Sequence, residues 1–520
     1  MSLYSSGRAR RSLIDTVAYR TVSQIATVLG YVVMVRAMTK EDFGVFNLLY
    51  SFIPVVGSLV SLGLEQTLRR YQPEYLQAGD LAGAAWLVRF VASARFVTNV
   101  IVLGLILLAW NYVAPLFKLT PYRAEFVIFS GLLLLNFQVG IAQLSLASHM
   151  LHRYSVGSVA VIAVVKLAAY CLLAWSGTFS LEWAIVADLM AFAVAYAILV
   201  HAYRVHCAQT ASHERYRPSP GEQRRLLRYG MFNNFNDVGT LALTSKTDNF
   251  FIAALTDQVS VGIYAFYTRL KEMAQQMLPV RLFDNVVRPL FFAVRPADAG
   301  TKIPQYFSLL LNMNLMVQWP IVAFCTMYHA ELVQVVFGGK FVEDSWLLPI
   351  IVGLATFSAI DLPVTLVAQY EEKAGIILVS KIFGVYSVIA MLLLLPILGV
   401  YGAAIATGSA LAMKNCFIWW HVRQRARWKN AGSALLWAGV LWGGVMVACQ
   451  MLKGVTAGQP IASLVTGVGV IGFGVLVHVR GPAISAADRA LLAAVLRGKE
   501  AAALRRLGLL GRAGTAPRDV

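Results

Sequence analysis

The sequence predicts an all-α polytopic membrane protein of about fourteen transmembrane helices, arranged as two six-helix lobes related by pseudo-twofold symmetry plus two C-terminal helices. Three observations carry this. The chain of 520 residues is 58% hydrophobic and only 13% charged, with a mean hydropathy of +0.66, far too apolar for soluble domains. Its net charge of +18 is unevenly spread along the chain. Finally, the second half echoes the first: Ala254-Leu255-Thr256 with Val261-Gly262-Ile263-Tyr264 reads like Ala37-Met38-Thr39 with Phe43-Gly44-Val45-Phe46.

Taken in order, Arg8, Arg10 and Arg11 precede an apolar segment at 13–37. It is too long for a signal-peptide core and lacks an A-x-A site, so it reads as the first transmembrane helix. Apolar segments near 43–67, 82–110, 124–148, 155–178 and 181–204 complete an N-terminal lobe at 1–205. The stretch 206–228 carries Arg215, Arg217, Arg224 and Arg225 with the breakers Pro218, Pro220 and Gly221, and reads as a basic cytoplasmic linker. A second lobe at 229–424 supplies segments near 229–255, 259–283, 304–330, 345–370, 374–395 and 399–422, and 425–480 adds two more near 432–451 and 459–478. In the tail, 481–520, Leu491, Leu492, Val495 and Leu496 alternate with Arg489, Arg497 and Lys499. That pattern predicts a cytoplasmic amphipathic helix on anionic lipid.

Loop charge orients the chain. With both termini cytoplasmic, roughly 28 Lys and Arg fall inside and only Lys40, Lys118, Arg123, Lys340 and Lys453 outside. The positive excess is therefore topological, and nucleic acid is not an expected partner. Cys171, Cys207, Cys325, Cys416 and Cys449 are scattered, without metal-ligand spacing, and read as packing residues. No metal or cofactor is expected. No P-loop Gly-Lys-Ser/Thr is present either, so ATP bound to this chain is not the energy source.

Thr16, Arg20, Ser23, Gln24, Thr27 and Tyr31 share one face of the first helix, a polar stripe suited to water or a polar substrate. A repeat offset of about 217 residues carries Arg20 onto Asp237, which lies roughly on one face with Asn234, Thr244 and Asp248. Ionisable groups at membrane depth mark transport paths or buried pairs. On that basis Asp237 and Asp248, with Lys246, stand out in the seventh span, and Arg269, Lys271 and Glu272 in the eighth. Arg269 and Glu272, three residues apart, also have the spacing to neutralise one another. Lys166 and Asp188 on neighbouring helices read as a buried pair, whereas Arg89, Arg95 and Lys414 read as snorkelling cations. Pro54, Pro320 and Pro363 fall inside spans as kinks. Gly439 and Gly443 read as a helix-packing face, and the Gly467-Gly469-Gly472 match to a nucleotide motif is a decoy inside a span.

The stretch Val35-Arg36-Ala37-Met38-Thr39-Lys40-Glu41-Asp42-Phe43-Gly44-Val45-Phe46 resembles the opening of the polysaccharide transporter family, with Met38 where Leu is usual. Ser61-Leu62-Gly63-Leu64-Glu65 leading to Arg70-Tyr71, Thr247-Asp248 leading to Val261-Gly262-Ile263-Tyr264, and Glu331-Leu332-Val333 leading to Phe337-Gly338-Gly339-Lys340-Phe341 resemble its later signatures. That family belongs to the multidrug, oligosaccharidyl-lipid and polysaccharide exporter superfamily. The resemblance implies two six-helix lobes around a central cavity and, by alternating access, the flipping of undecaprenyl-diphosphate-linked oligosaccharide across the bacterial inner membrane for exopolysaccharide, capsule or O-antigen synthesis. It implies a transporter and not an enzyme, with lipid-linked oligosaccharide and membrane lipids as partners, alongside a polysaccharide polymerase and glycosyltransferases. For such a substrate, Arg20, Gln24, Arg36, Arg269, Lys271 and Lys381 become candidate contacts to diphosphate or glycan. Asp237, Asp248 and Glu272 become the candidate ion carriers. Two alternatives stay open: a drug or cation exporter of the same superfamily, and a membrane polymerase or glycosyltransferase using Glu41 and Asp42.

Overall fold

A computed structural model of the chain describes residues 6–207, 216, 218–241, 243–276, 278, 288, 291–428, 431–481 and 489. Among these the regular elements are helical throughout. In the N-terminal half they are α1 (Ser6–Ala37), α2 (Lys40–Val60), α3 (Leu64–Gln77), α4 (Leu81–Leu108), α5 (Trp110–Leu116), α6 (Arg123–Ser148), α7 (His152–Trp175) and α8 (Leu181–His206). Next come α9 (Pro220–Leu241), α10 (Ser245–Leu255), α11 (Gln258–Gln275), α12 (Ala299–Phe337), α13 (Leu347–Leu354), α14 (Asp361–Tyr370) and α15 (Ala374–Val379). The chain continues through α16 (Phe383–Leu398), α17 (Val400–Val422), α18 (Ala431–Val455) and α19 (Pro460–Arg480). Apart from Gly481 and Arg489, the tail at 481–520 lies outside the described residues.

Among the described residues, eleven helices are long and apolar enough to cross a membrane. The all-helical polytopic class is as expected, but the count of about fourteen is not confirmed. The segments at 229–255, 259–283 and 399–422 account for the difference. The first divides into α9 and α10, and α9 carries Glu222, Arg224, Arg225, Arg228, three asparagines and Asp237, which dilute its apolar character. α11 is 18 residues long with Arg269, Lys271 and Glu272 near its end. α17 has the length, 23 residues, but is not among the eleven.

Two compact units divide the chain, Met1–Gly262 and Ile263–Val520. In the first, α1 lies along α7, α6 packs with both α7 and α8, and α2 is surrounded by α4, α6, α8, α9 and α10. α2 begins with a side-chain cap, because Thr39 Oγ1 accepts from Asp42 N at 3.0 Å and donates to Asp42 Oδ2 at 2.8 Å. The repeated Phe-Gly and Val-Gly motifs meet here. A Cβ on Gly44 would overlap the Gln258 carbonyl, and one on Gly262 would lie 3.2 Å from Gly44 N. Lys118 donates to the Thr256 carbonyl and Gln258 Nε2 to the Phe117 carbonyl at 2.7 Å, which ties the loop after α5 to the start of α11.

In the stretch expected to be a breaker-rich linker, the structure starts a helix at Pro220. Proline suits the first helical position, where its missing N–H has no intrahelical partner to lose. Ser219 and Glu222 close a reciprocal capping box, with Glu222 N donating to Ser219 Oγ at 3.2 Å and Ser219 N to Glu222 Oε2 at 3.3 Å. Arg215 and Arg217 lie outside the described residues.

In the second unit α12 is the long spine, with Pro320 inside it and a kink at Tyr328. α13 passes through a 3-10 turn at Ala355–Ile360 before α14, which holds Pro363 in its first turn. Phe266 stacks on Phe341 and meets Phe337 edge-on, while Tyr267 donates to the Phe341 carbonyl at 2.6 Å. The appended pair, α18 and α19, packs on α12. Lys453 Nζ reaches Glu331 at 2.6 Å and the Met327 carbonyl at 2.7 Å.

The helix-packing glycines differ from those expected. A Cβ at Gly439 or Gly443 would meet nothing within 4 Å, whereas one at Gly467 would overlap the fully buried Tyr328 ring. Of the decoy motif's glycines Gly467 alone thus serves helix contact, inside an α-helix, since a Cβ at Gly469 or Gly472 would meet nothing within 4 Å. Gly467→Leu should cost about 1–3 kcal/mol by overpacking, read as a fall in Tm in detergent, while Gly439→Leu should leave Tm unchanged. Equal effects of the two would contradict this packing. Of the cysteines, Cys207, Cys325 and Cys449 are buried, but Cys171 and Cys416 are exposed and so are not core residues.

Candidate functional site

The polar face foreseen on α1 divides in the structure. Arg20 and Gln24 are exposed, Thr27 is half-buried, and Ser23 and Tyr31 are buried, with Tyr31 edge-on to Phe43 at 6.0 Å. The stripe is therefore part packing surface, and its accessible portion is Arg20 with Gln24, one turn apart. Thr16 lies where side chains are not described. Arg36 is also exposed near the end of the helix. Asp237 falls within α9, but its side chain lies outside the described residues. Asp248 is buried at the start of α10, next to Asn249, whose Nδ2 donates to Ser51 Oγ at 2.9 Å.

The remaining candidates belong to the second unit. Arg269 and Glu272 pair at 3.3 Å, both partly exposed, as their i, i+3 spacing allows. Lys271 is half-buried on the same helix, and half-buried Lys381 occupies a short 3-10 turn, Ser380–Ile382, between α15 and α16.

The most tightly bonded charge in the first unit is the pair expected between α7 and α8. Lys166 Nζ lies 2.7 Å from Asp188 Oδ2, and the Asp188 side chain is completely buried. Tyr170 donates to Oδ1 at 2.7 Å, and Tyr50 donates to Oδ2 while receiving Lys166 Nζ at 3.3 Å. A buried carboxylate requires this many donors, since each lone pair left unmatched in low dielectric costs free energy.

Two cations expected to snorkel are engaged in the protein instead. Lys414 Nζ pairs with Asp361 at 2.8 Å. Arg95, at midspan in α4, is 0% exposed: Nη2 donates to the Gly57 carbonyl at 2.9 Å, Nε lies 3.5 Å from Glu65 Oε1, and the guanidinium stacks 4.2 Å from the Phe137 ring. Arg89 is exposed, as expected. The signal that marks Arg95 in sequence is Asn99, one turn further along α4 and also 0% exposed, a polar i, i+4 pair in the middle of an apolar helix.

At the start of α9 a cluster of side chains fastens the helix to α3. Tyr75 and Tyr216 both donate to Glu222 Oε1, and Arg225 bonds both Glu74 oxygens at 2.8 and 3.1 Å. Burial pushes the Glu222 carboxyl up, but the hydrogen bonds from Tyr75 and Tyr216, the Ser219 N–H and the Arg225 charge together hold it below its ordinary value. A carboxyl lowered by folding adds stability above its unfolded pKa and loses it as pH falls through the folded one. Glu222→Gln should therefore have a lower Tm than wild type at pH 7, with the gap closing below pH ~4; a gap constant with pH would contradict the assignment.

The fold is that of polytopic transporters. It is similar to the lipid II flippase MurJ in its inward closed conformation, with a TM-score of 0.67 at 9% identity, covering 89% of this chain and 98% of that one. It is also similar to a multidrug resistance MATE family transporter of the MOP superfamily in its inward-facing conformation, with a TM-score of 0.64 at 14% identity over 80% of this chain and 99% of that one. The outward-facing conformation of such a transporter gives 0.50 over 80% of this chain and 97% of that one, at 14% identity. No protein with a curated description matches the sequence. The polysaccharide biosynthesis protein family model matches residues 11–293, and the chain belongs to that family.

Proposed function

We propose that this protein is a secondary transporter that flips undecaprenyl-diphosphate-linked oligosaccharide from the cytoplasmic to the periplasmic leaflet of the bacterial inner membrane. The observation that carries the reading is membership of the polysaccharide biosynthesis family in a chain of many apolar spans. Such a substrate joins an anionic diphosphate and a hydroxyl-rich glycan to an apolar tail, and the first two cross hydrocarbon only along a polar path. Arg20 and Gln24, exposed on the first apolar span, supply a cation and an amide for that path. Arg offers diphosphate a bidentate fork.

Two observations weigh against the alternatives. A cation exporter favours free acidic groups at membrane depth, whereas Asp188 is neutralised by Lys166 and Glu272 by Arg269. A polymerase would need Glu41 and Asp42 for catalysis, but the Asp42 carboxylate accepts from the capping Thr39 Oγ1 at 2.8 Å and Glu41 accepts from Tyr122 at 2.9 Å. The function is tested by reconstituting the purified protein in vesicles and following fluorescent lipid-linked oligosaccharide into the opposite leaflet. Movement no faster than in protein-free vesicles would refute the proposal. With both termini cytoplasmic, a phosphatase fused after Lys340 should be active and one fused after Arg425 inactive, and the reverse pattern would overturn the orientation.

A further inference from the structure

The first unit holds a cavity of about 260 Å³ between α2, α3, α4 and α6, whose walls include Gly57, Ser58, Ser61, Glu65, Arg95 and Phe137. Its charged wall is unusual. The Arg95 side chain is 1% exposed, yet its Nε and Nη1 have no hydrogen-bond partner among the described residues. A guanidinium carries five N–H donors in a fixed plane, and leaving two groups of them unmade in a buried site is costly. The Gly57 carbonyl takes Nη2, and the Phe137 ring covers one face of the plane. The remaining edge, Nε and Nη1, is left to the Glu65 carboxylate 3.5 Å from Nε and to the cavity.

A second donor set borders the same space. α3 begins at Leu64 after Gly63, whose positive φ of 67° closes the turn from α2 and which brings no side chain to the first-turn N–H groups. Leu64 N donates to the Ser61 carbonyl at 2.9 Å, and the Glu65 and Gln66 N–H groups that remain, with the helix dipole, favour an anion. Ser58 adds a hydroxyl to the wall, whereas the Ser61 hydroxyl is taken up by Asn234 Oδ1, to which it donates, and by Gly63 N, from which it accepts. Among the described residues that line the cavity the one carboxylate, Glu65, sits in that first turn and approaches Arg95 Nε at 3.5 Å, beyond hydrogen-bond geometry. It is more than a third exposed, so its side chain is free to swing outward.

We infer that this cavity is an oxyanion subsite that takes a phosphate group, with Glu65 as the internal counterion that the phosphate displaces from Arg95. The tetrahedral oxygens match what the site leaves unmade: two to the Arg95 edge, others to the first-turn N–H groups of α3 and to Ser58. A volume of about 260 Å³ accommodates one phosphate or diphosphate group with its waters, at roughly 30 Å³ per water. It does not accommodate a glycan. The phosphate can come from a lipid headgroup entering from the bilayer or from a soluble phosphate ester. The site is distinct from Arg20 and Gln24, and it stands whether or not the chain flips the proposed cargo, because its test reads binding alone.

The test uses the full chain purified in neutral detergent, with radiolabelled inorganic pyrophosphate in a filter-binding assay and phosphatidic acid against phosphatidylcholine in native mass spectrometry. At least one phosphate probe should bind. Glu65→Gln, which removes the internal competitor, should tighten that binding about threefold or more, and Arg95→Gln should weaken it tenfold or more. If Arg95→Gln does not fold, Ser58→Leu, which fills the cavity and leaves Arg95 in place, should abolish binding on its own. Retention of phosphatidic acid alone assigns the site to a headgroup, and retention of pyrophosphate alone to a soluble ester. Binding of neither probe, or binding that Glu65→Gln weakens or leaves unchanged, would overturn the assignment.

Discussion

Asp188→Ala is expected to destabilise the protein by about 3–5 kcal/mol, the cost of breaking an ion pair whose carboxylate is fully buried and whose Lys166 ammonium is largely so. The size follows from the surroundings. Asp188 is completely buried, and three groups depend on its two oxygens: the Lys166 ammonium at 2.7 Å, the Tyr170 hydroxyl at 2.7 Å and the Tyr50 hydroxyl. Removing the carboxylate strands one charge and two phenols, while Asp188→Asn keeps one acceptor oxygen and should lose less. The double variant Lys166→Met with Asp188→Leu removes the charges together and should recover most of the loss, because well-packed apolar pairs replace buried ion pairs at little cost. The measurement is Tm by fluorescence-detected size exclusion for the four proteins. If Asp188→Ala melts within a degree of wild type, the pair holds nothing together.

Much of this architecture was legible in the sequence, for reasons particular elements make plain. Composition alone demands helices in a bilayer, since only intrahelical bonds satisfy the backbone there. Lys166 and Asp188 were recognisable as partners because opposite charges on consecutive apolar helices have few other ways to be neutralised. The exceptions share a cause: local patterns report a residue's type and phase but not what lies opposite it. Pro220 reads as a breaker until the reciprocal bonds of Ser219 and Glu222 make it the first residue of a helix. Gly439 and Gly443 have the spacing of a contact face, yet the helix that closes on Tyr328 does so through Gly467. Arg95 reads as a snorkelling side chain because it lies nearer the cytoplasmic side of its span, and only the packing of Gly57, Glu65 and Phe137 around it shows that it turns inward. On α1, periodicity marks a polar stripe, but Ser23 and Tyr31 are buried, and Arg20 with Gln24 is what remains accessible.

That remaining pair carries the largest functional prediction. Arg20→Ala should reduce flipping of lipid-linked oligosaccharide at least a hundredfold while leaving Tm within a few degrees of wild type. Stability is spared because Arg20 is exposed on its unit, so its removal opens no cavity and strands no buried partner. Transport is lost because a doubly charged diphosphate on its way through low dielectric needs a cation, and few exposed ones lie on the first spans. Arg20→Lys keeps the charge but replaces a planar fork with a point donor, so it should restore only a small part of the rate if the contact to diphosphate is bidentate. Gln24→Ala, which removes an amide and no charge, should cost roughly tenfold or less, in line with one neutral hydrogen bond of about 1 kcal/mol. The initial flipping rates of the four proteins in vesicles, each normalised to the amount reconstituted, decide the matter. An Arg20→Ala protein that transports at the wild-type rate would remove Arg20 from the path and shift attention to Arg36, which is also exposed on α1.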